Sequence, residues 1–408
     1  MLKLAGRRHR GAMEKGSKYP LLASIPRSYA NLIAYLVGLG VIANAFDAVI
    51  PGARYATYSV PPLVVLAWLA YRTQFEIPLQ SRYLVSAGLL LSSVLASSMV
   101  GGTPLPIVTF LILPMFAGAF IVRVERQQMI VILVAIGLGQ IAHLQKNGFG
   151  GTIFDLIHSQ GLSESQMSFP LALTTVALFA AGQKRAGIAS LLQMVVAFKR
   201  VTLVSVAVAW LGSVVRISPR LIRILDRSPS ARYAAAATIF AACAWVSFQL
   251  NDIAEAIRLQ FPDLFRSAED LLLGRFSFSN TLESYFDTHA TWLNFALGFG
   301  PQSMTQTIGA IYYPGIDRFL LHNDYMFVNF EFGFAGQLLF LAAFLIAFAS
   351  SRQALLLCLT QAVLLMTDNT LIYSFHILVL IACENYLWWC ARAVDPEARN
   401  ATVAPLVK

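Results

Sequence analysis

The chain has 408 residues, of which 57% are hydrophobic and only 12% are charged, with a mean hydropathy of +0.64. A soluble protein of this length would need far less apolar surface to build its core, so the composition excludes that class and predicts an integral membrane protein. The net charge of +9 is concentrated between apolar segments, as in membrane proteins, and we therefore expect no nucleic-acid partner.

Apolar segments recur along the whole chain, and crossing a bilayer takes about 20 such residues. The alternating pattern of a membrane β-barrel is absent, so backbone groups in lipid must be satisfied within helices. We predict an all-α, polytopic transmembrane helical bundle of about 12 spans. Those near 57, 129, 168, 186 and 201 are short, which leaves half-helices or re-entrant turns open. The segments are 29–50, 57–71, 83–101, 104–122, 129–142, 168–182, 186–198, 201–215, 233–250, 325–349, 353–367 and 370–390.

Basic residues indicate which ends of these segments face the cytoplasm. Residues 1–28 contain seven Lys or Arg and one Glu, and residues 216–232 contain five Arg and one Asp. By the positive-inside rule both are cytoplasmic. The predicted organisation is a cytoplasmic basic N-terminus at 1–28, an N-terminal transmembrane bundle at 29–250, an extracytoplasmic loop at 251–321, C-terminal transmembrane helices at 322–391 and a cytoplasmic tail at 392–408.

The middle of this topology contains a conflict. Counting every segment as a span puts Lys184 and Arg185 inside but Lys199 and Arg200 outside. The second assignment goes against the positive-inside rule. One miscounted segment on each side of Arg185 would remove the conflict.

The longest polar stretch, 251–321, contains eight Asp or Glu and four Arg. A structureless loop of that length is uncommon, so we expect short helices within it, near 251–260 and 279–296. The cysteines (Cys243, Cys358, Cys383 and Cys390) all lie in apolar segments. They predict small apolar side chains, with neither a disulfide framework nor a zinc site.

Polar residues open the apolar segment that follows this loop: His322, Asn323 and Asp324. An ionisable group at a membrane mouth is a functional candidate, and a histidine titrates near neutrality, which suits a general base. The structural alternative is that Asn323 or Asp324 caps the helix that begins near Tyr325. Glu331 is the next ionisable residue on that helix, where either a buried structural partner or a catalytic support fits.

Two arginines are further candidates, Arg185 in AAGQKRAGIASLL and Arg275 in LLLGRFSF. For Arg275 the alternative is an ordinary ion pair with Glu269, Asp270 or Glu283, which would contribute about 1 kcal/mol at most.

The sequence HNDYMFVNFEFGFAGQLLFL, together with LGFGP at 297–301 and LLGR at 272–275, resembles the bacterial O-antigen ligase and polysaccharide polymerase superfamily. Members have an HN pair at the start of a transmembrane helix and a downstream E-x-G-x-x-G, which reads here as Glu331, Gly333 and Gly336. The segment 180–192 resembles the arginine motif of the same superfamily.

This resemblance implies a GT-C-type inverting glycosyl transfer at the outer face of the bacterial inner membrane. The donor would be an undecaprenyl-pyrophosphate-linked glycan, and the acceptor another glycan or a lipid. Arg185 and Arg275 would hold the pyrophosphate, with Lys184 as a further contact or a replacement for Arg185. His322 would accept the acceptor proton, with possible support from Asn323 and Glu331. No D-x-D pair occurs in the sequence, so we expect neither a metal nor another cofactor.

The acceptor is left open by these motifs. We favour a polymerase of lipid-linked repeat units. An O-antigen ligase or a protein O-oligosaccharyltransferase would use the same donor. A flippase or transporter for lipid-linked sugars would also need arginines for pyrophosphate, but it predicts inverted repeats that we do not find in the sequence.

Overall fold

The structure is a computed structural model that describes residues 25–47, 49–147, 166–197, 199–215, 218–261, 276–309, 323–367 and 370–394. Throughout these ranges the regular structure is helical. Each apolar segment of the sequence coincides with a helix, as predicted. The helices are α1 (Arg27–Phe46), α2 (Val60–Arg72), α3 (Ser81–Ser98), α4 (Leu105–Gly118, with a central π-helical stretch), α5 (Arg126–Asn147), α6 (Ser168–Ala180), α7 (Lys184–Ala197), α8 (Arg200–Val214), α9 (Pro219–Arg227), α10 (Pro229–Phe248), α11 (Leu250–Gln260), α12 (Phe276–His289), α13 (Trp292–Leu297), α14 (Asp324–Phe348), α15 (Ala354–Thr367) and α16 (Ser374–Val394).

Four of these helices are long and apolar enough to cross a membrane: α1, α10, α14 and α16. A fifth span results if Val201–Val214 and Pro219–Arg227, which meet at 113°, are counted together. Others are apolar but short, such as α6 with 13 residues and α15 with 14. Length and composition thus support an α-helical membrane bundle, with fewer full-length spans than the sequence led us to expect.

Small residues and hydroxyl groups allow the helices to pack closely. Gly38 of α1 lies against α5, where an added Cβ would be 3.0 Å from Cβ of Ala135. Ser86 of α3 donates a hydrogen bond to the carbonyl of Ala343 on α14 at 2.8 Å. Such contacts are typical of helices in lipid, where small side chains and interhelical hydrogen bonds replace a hydrophobic driving force.

A buried ion pair joins α3 to α16 at one end of the bundle. The Arg82 guanidinium donates to both carboxylate oxygens of Glu384, at 2.6 and 2.5 Å, and Glu384 is fully buried. The hydroxyls of Tyr83 and Ser350 also donate to this carboxylate. Its charge and lone pairs are therefore satisfied, which a buried carboxylate requires. We call this end the basic end, because Arg123, Arg126, Arg232 and Arg352 also lie there.

The acidic loop contains the expected short helices, but in a different division. α11 matches the helix expected near 251–260. The single helix expected over 279–296 is two helices, α12 and α13, separated at residues 290 and 291. Thr291 starts α13 through a capping box, since its side chain accepts from the Asn294 N–H and Asn294 accepts from the Thr291 N–H. These local hydrogen bonds favour a new helix over continuation of the old one.

Candidate active site

The start of α14 is fixed by Asn323. Its side-chain oxygen accepts from the Met326 N–H at 3.1 Å and from the Ser247 hydroxyl at 2.8 Å. Asn323 is therefore the N-cap, one of the two residues that the sequence offered for this role. The second hydrogen bond attaches the mouth of α14 to the end of α10. Asn323 is only 5% exposed, so the cap is shielded from water.

Asp324 contacts the opposite side of this mouth. One of its carboxylate oxygens accepts from the Thr370 N–H at 2.6 Å, from the Thr370 hydroxyl at 2.9 Å and from the Leu371 N–H at 3.2 Å. Three donors on one buried carboxylate tie the start of α14 to the loop before α16.

Polar side chains continue from Asp324 into the bundle. The Gln361 amide donates to the Thr370 hydroxyl at 2.9 Å, and its oxygen lies 2.8 Å from Nε2 of His376. Because an amide oxygen only accepts, His376 donates from Nε2. His376 is fully buried. His376 and Glu384, eight residues apart on α16, thus hydrogen-bond to different neighbouring helices and lie in separate networks.

Lys199, just before α8, also lies near His376. Its Nζ lies 4.4 Å from the centroid of the Phe169 ring, and that ring lies 6.0 Å from the rings of Tyr373 and His376. A cation above an aromatic face is an attractive arrangement. We call Lys199, Asn323, Asp324, Gln361, Thr370 and His376 the Asp324 cluster.

Lys184 and Arg185 lie away from this cluster. α6 and α7 form an antiparallel hairpin in which Gly187 packs against Phe179 and the Thr175 hydroxyl bonds to Ser190 at 2.8 Å. Lys184 therefore lies beside the end of α6, whereas Lys199 lies beside its start. A helix of 13 residues is roughly 20 Å long. Both Lys184 and Arg185 are exposed, and the structure does not bring them to Asn323.

The remaining expected site residues are His322 and Arg275. Both lie outside the described residues, each immediately before one that is described. His322 precedes the N-cap Asn323, and Arg275 precedes Phe276, where α12 begins.

Glu331 lies just before a break in α14. Gly333 has φ 63° and ψ −169°, and this non-helical backbone interrupts α14. The carbonyls of Phe330 and Glu331 therefore lack the N–H donors that a continuous helix would supply four residues later. The Phe299 N–H donates to Phe330 O at 2.9 Å, the Gly300 N–H donates to Glu331 O at 3.1 Å, and the Ser97 hydroxyl also donates to Glu331 O. Residues far away in the sequence thus replace the lost helical hydrogen bonds, as a break at membrane depth requires.

The Glu331 side chain makes further hydrogen bonds to the segment that follows Gly300. It is 1% exposed, and the backbone N–H groups of Gln302 and Met304 hydrogen-bond to its carboxylate. The Glu331 motif is therefore joined to the LGFGP motif through backbone hydrogen bonds and to the residues just after LGFGP through the Glu331 side chain, although the sequence shows only separate patterns. Sequence reasoning did not single out Ser97, or Gly102, whose added Cβ would lie 1.9 Å from the Pro301 carbonyl oxygen. The Gly-Gly-Thr-Pro segment at 101–104 was the sequence feature that could have indicated a close approach of two backbones here.

An apolar cavity of about 290 Å³ lies between α10, α14 and α15, beside the Asp324 cluster. Its lining is almost wholly hydrocarbon and aromatic, with Asp324 and Gln337 as polar exceptions. Such a lining fits a hydrocarbon chain, and Asp324 connects the cavity to the polar mouth. The main apolar lining residues are Phe240, Trp245, Val328, Leu341, Phe344 and Leu365.

No match was found among family models, curated proteins or solved structures.

Proposed function

We propose that the protein is a membrane glycosyltransferase that acts on a glycan linked to undecaprenyl pyrophosphate. One observation carries the proposal: the LGFGP loop and the broken helix at Glu331 and Gly333 interlock directly below the mouth that begins at Asn323. A fixed loop beneath a polar mouth is the preorganised setting that a group transfer needs. The two motifs involved are those that resemble the polysaccharide polymerase superfamily.

The proposed reaction is a single inverting displacement. An acceptor hydroxyl attacks the anomeric carbon of the donor sugar, and the bond between that carbon and the pyrophosphate oxygen breaks. Undecaprenyl pyrophosphate leaves with the electron pair, while His322 takes the hydroxyl proton. Pyrophosphate is a good leaving group, so the protein must mainly supply cations for its charge and a base.

For the cations, we propose Arg275 together with the basic pair at the start of α8. Lys199 belongs to the Asp324 cluster, and Arg200 is the first residue of α8. Arg185 and Lys184 were the expected pair, but they lie at the other end of the α6 and α7 hairpin. Arginine suits this role because its planar fork binds two phosphate oxygens at once without a metal.

For the lipid part of the donor, we propose the apolar cavity beside Asp324. An isoprenoid chain has no hydrogen-bonding groups, so a hydrocarbon-lined cavity between helices is a suitable environment. This arrangement would keep the pyrophosphate at the polar mouth. It also fits a topology in which the basic end of the bundle is cytoplasmic and the acidic loop is extracytoplasmic.

The acceptor we propose is another lipid-linked glycan, so that repeat units are polymerised into a surface polysaccharide. Transfer to lipid A core or to a protein would use the same donor site. These reactions differ in the product, which is measured directly.

The test is turnover by purified protein with a lipid-linked oligosaccharide in EDTA, read as glycan length on the lipid. We expect His322→Ala to lower the rate by about 10² to 10⁴-fold. His289→Ala is the matched control, because His289 is an exposed histidine of the acidic loop, stacked on Tyr285. Full activity of His322→Ala would exclude the proposed base. Movement of unaltered lipid-linked glycan across the bilayer, with no glycan transfer, would indicate a transporter instead.

The choice between cation pairs is tested in the same assay. We expect Arg200→Gln to raise the KM for the lipid-linked donor and to lower kcat, since a phosphate contact acts in both binding and leaving-group stabilisation. Arg185→Gln should leave both constants close to the wild-type values. If Arg185→Gln changed both constants and Arg200→Gln changed neither, Arg185 and not Arg200 would bind the pyrophosphate.

A further inference from the structure

The short helix α9 presents a row of arginines on one side. Ser218 caps its N-terminus by accepting from the Leu221 N–H at 3.2 Å. At 100° per residue, Arg220, Arg223 and Arg227 fall within an arc of about 60°. All three are exposed. The helix therefore has a narrow, strongly cationic face.

Contacts with the bundle fix the direction of this face. Leu225 is the buried residue of α9, and the Arg232 guanidinium donates to Leu225 O at 2.9 Å and to Asp226 O at 3.2 Å. The Asp226 carboxylate accepts from Arg352 at 3.0 Å. Leu225 lies opposite the arginine row on the helical wheel, so the row points away from the protein.

Two large apolar side chains lie beside the arginine row. Leu221 is 45% exposed and Ile224 is 51% exposed, and both lie between the buried face and the cationic face. Among the described residues, no Asp or Glu forms an ion pair with Arg220, Arg223 or Arg227. An apolar edge beside unpaired cations is the pattern of a helix that lies in a membrane interface.

We infer that α9 binds the headgroups of anionic phospholipids in the cytoplasmic leaflet. Leu221 and Ile224 would enter the upper acyl region, while the three guanidinium groups contact phosphates. The charge of the row complements an anionic surface, and α9 belongs to the basic end, which the positive-inside rule assigns to the cytoplasm. The forked guanidinium suits phosphate oxygens. This inference is independent of the proposed glycosyl transfer.

The experiment measures hydrogen exchange in a peptide that covers residues 219–227 of the full-length protein. The protein is placed in nanodiscs of phosphatidylcholine alone or of phosphatidylcholine mixed with phosphatidylglycerol. We expect exchange in α9 to slow by on the order of tenfold in the anionic nanodiscs, and this protection to weaken at high salt. The combined substitution R220Q/R223Q/R227Q should remove the difference between the two lipids.

The matched control is R27Q/R72Q/R126Q, which removes the same charge from exposed arginines on α1, α2 and α5 at the same basic end. This control should keep the lipid-dependent protection of α9. Equal exchange of wild-type α9 in both lipids would overturn the inference. Equal protection by inorganic phosphate in phosphatidylcholine nanodiscs would also overturn it, because a soluble anion would then be the ligand.

Discussion

Gly298 and Gly333 approach each other so closely that neither position has room for a side chain. A Cβ on Gly333 would lie 2.4 Å from the backbone nitrogen of Gly298, and a Cβ on Gly298 would lie 2.3 Å from the carbonyl carbon of Glu331. Both residues have positive φ, 78° at Gly298 and 63° at Gly333. The break in α14 and the loop that fills it therefore depend on the same pair of glycines.

We expect Gly298→Ala and Gly333→Ala each to lower the free energy of unfolding by more than about 2 kcal/mol, since strain from positive φ adds to a backbone clash. Thermal unfolding in detergent measures the effect. Gly88→Ala is the control, because it lies in α3 with nothing within 4 Å of its added Cβ. That change should be neutral or stabilising. Wild-type stability of Gly333→Ala would mean that α14 tolerates a continuous helix.

The Arg82–Glu384 pair gives a second prediction. We expect Glu384→Ala to cost about 3 to 5 kcal/mol, because it leaves a largely buried guanidinium without its counter-charge. The double substitution R82M/E384M should recover much of this loss, since it removes both charges. Unfolding of the three proteins in the same detergent checks the order.

Asp226→Asn is the control for that pair. It breaks the Asp226–Arg352 ion pair, whose side chains are 49% and 37% exposed. Water screens such a pair, so the cost should stay below about 1 kcal/mol. If Glu384→Ala were no more costly than Asp226→Asn, the buried network would not contribute to stability.

The cap of α14 gives a third prediction. Asn323→Ala should cost about 1 kcal/mol for the lost cap, and more because the Ser247 hydroxyl loses its acceptor. Asn323→Asp should retain both hydrogen bonds, since a carboxylate oxygen accepts from the same donors. Stability of the two variants is compared by thermal unfolding. Equal losses in both would show that the side chain acts through shape rather than through hydrogen bonding.

A fourth prediction concerns pH and the acidic loop. Partial burial, followed by the charges of Asp252 and Asp287, raises the pKa of Glu283 above its ordinary value. A carboxyl with a raised pKa in the folded state binds its proton more tightly there than in the unfolded chain. Its ionisation therefore destabilises the fold as the pH rises through the unfolded pKa toward the folded one.

Glu283→Gln should consequently stabilise the protein at neutral pH and make no difference in acid, where Glu283 is protonated in both states. Because water still reaches much of this partly buried side chain and screens its charge, the gain should be small. Melting temperatures of wild type and variant across the acid-to-neutral range provide the measurement. A Glu283→Gln protein that is no more stable than the wild type at neutral pH would contradict the prediction.

The sequence predicted the elements of the fold well because apolar segments of this length form helices in lipid whatever their partners. It also offered Asn323 as a cap, since the capping residue and the helix are neighbours in the chain. The number of helices that span the membrane was predicted less well. Helices of 13 to 15 residues, such as α6 and α8, look the same in sequence whether they cross or stop partway.

Long-range relationships were not predictable from a single sequence. The Ser97 hydroxyl meets Glu331 O across a separation of 234 residues, and Arg82 meets Glu384 across 302. No local pattern encodes such distances. The expected grouping of Arg185 with the mouth of α14 came from the motif at 180–192, and nothing in the sequence indicated that Lys199, at the other end of the α6 and α7 hairpin, lies nearer to that mouth.

The break at Gly333 has a consequence for how the protein is made. It lies nine residues past the start of α14, roughly 13 Å along the helix. Its bare carbonyls would be costly if the segment entered the bilayer alone. Ser97, Phe299 and Gly300, which satisfy those carbonyls, all precede Phe330 in the chain. A ribosome therefore delivers every partner before the discontinuous segment emerges, and we expect the translocon to release that segment directly onto them.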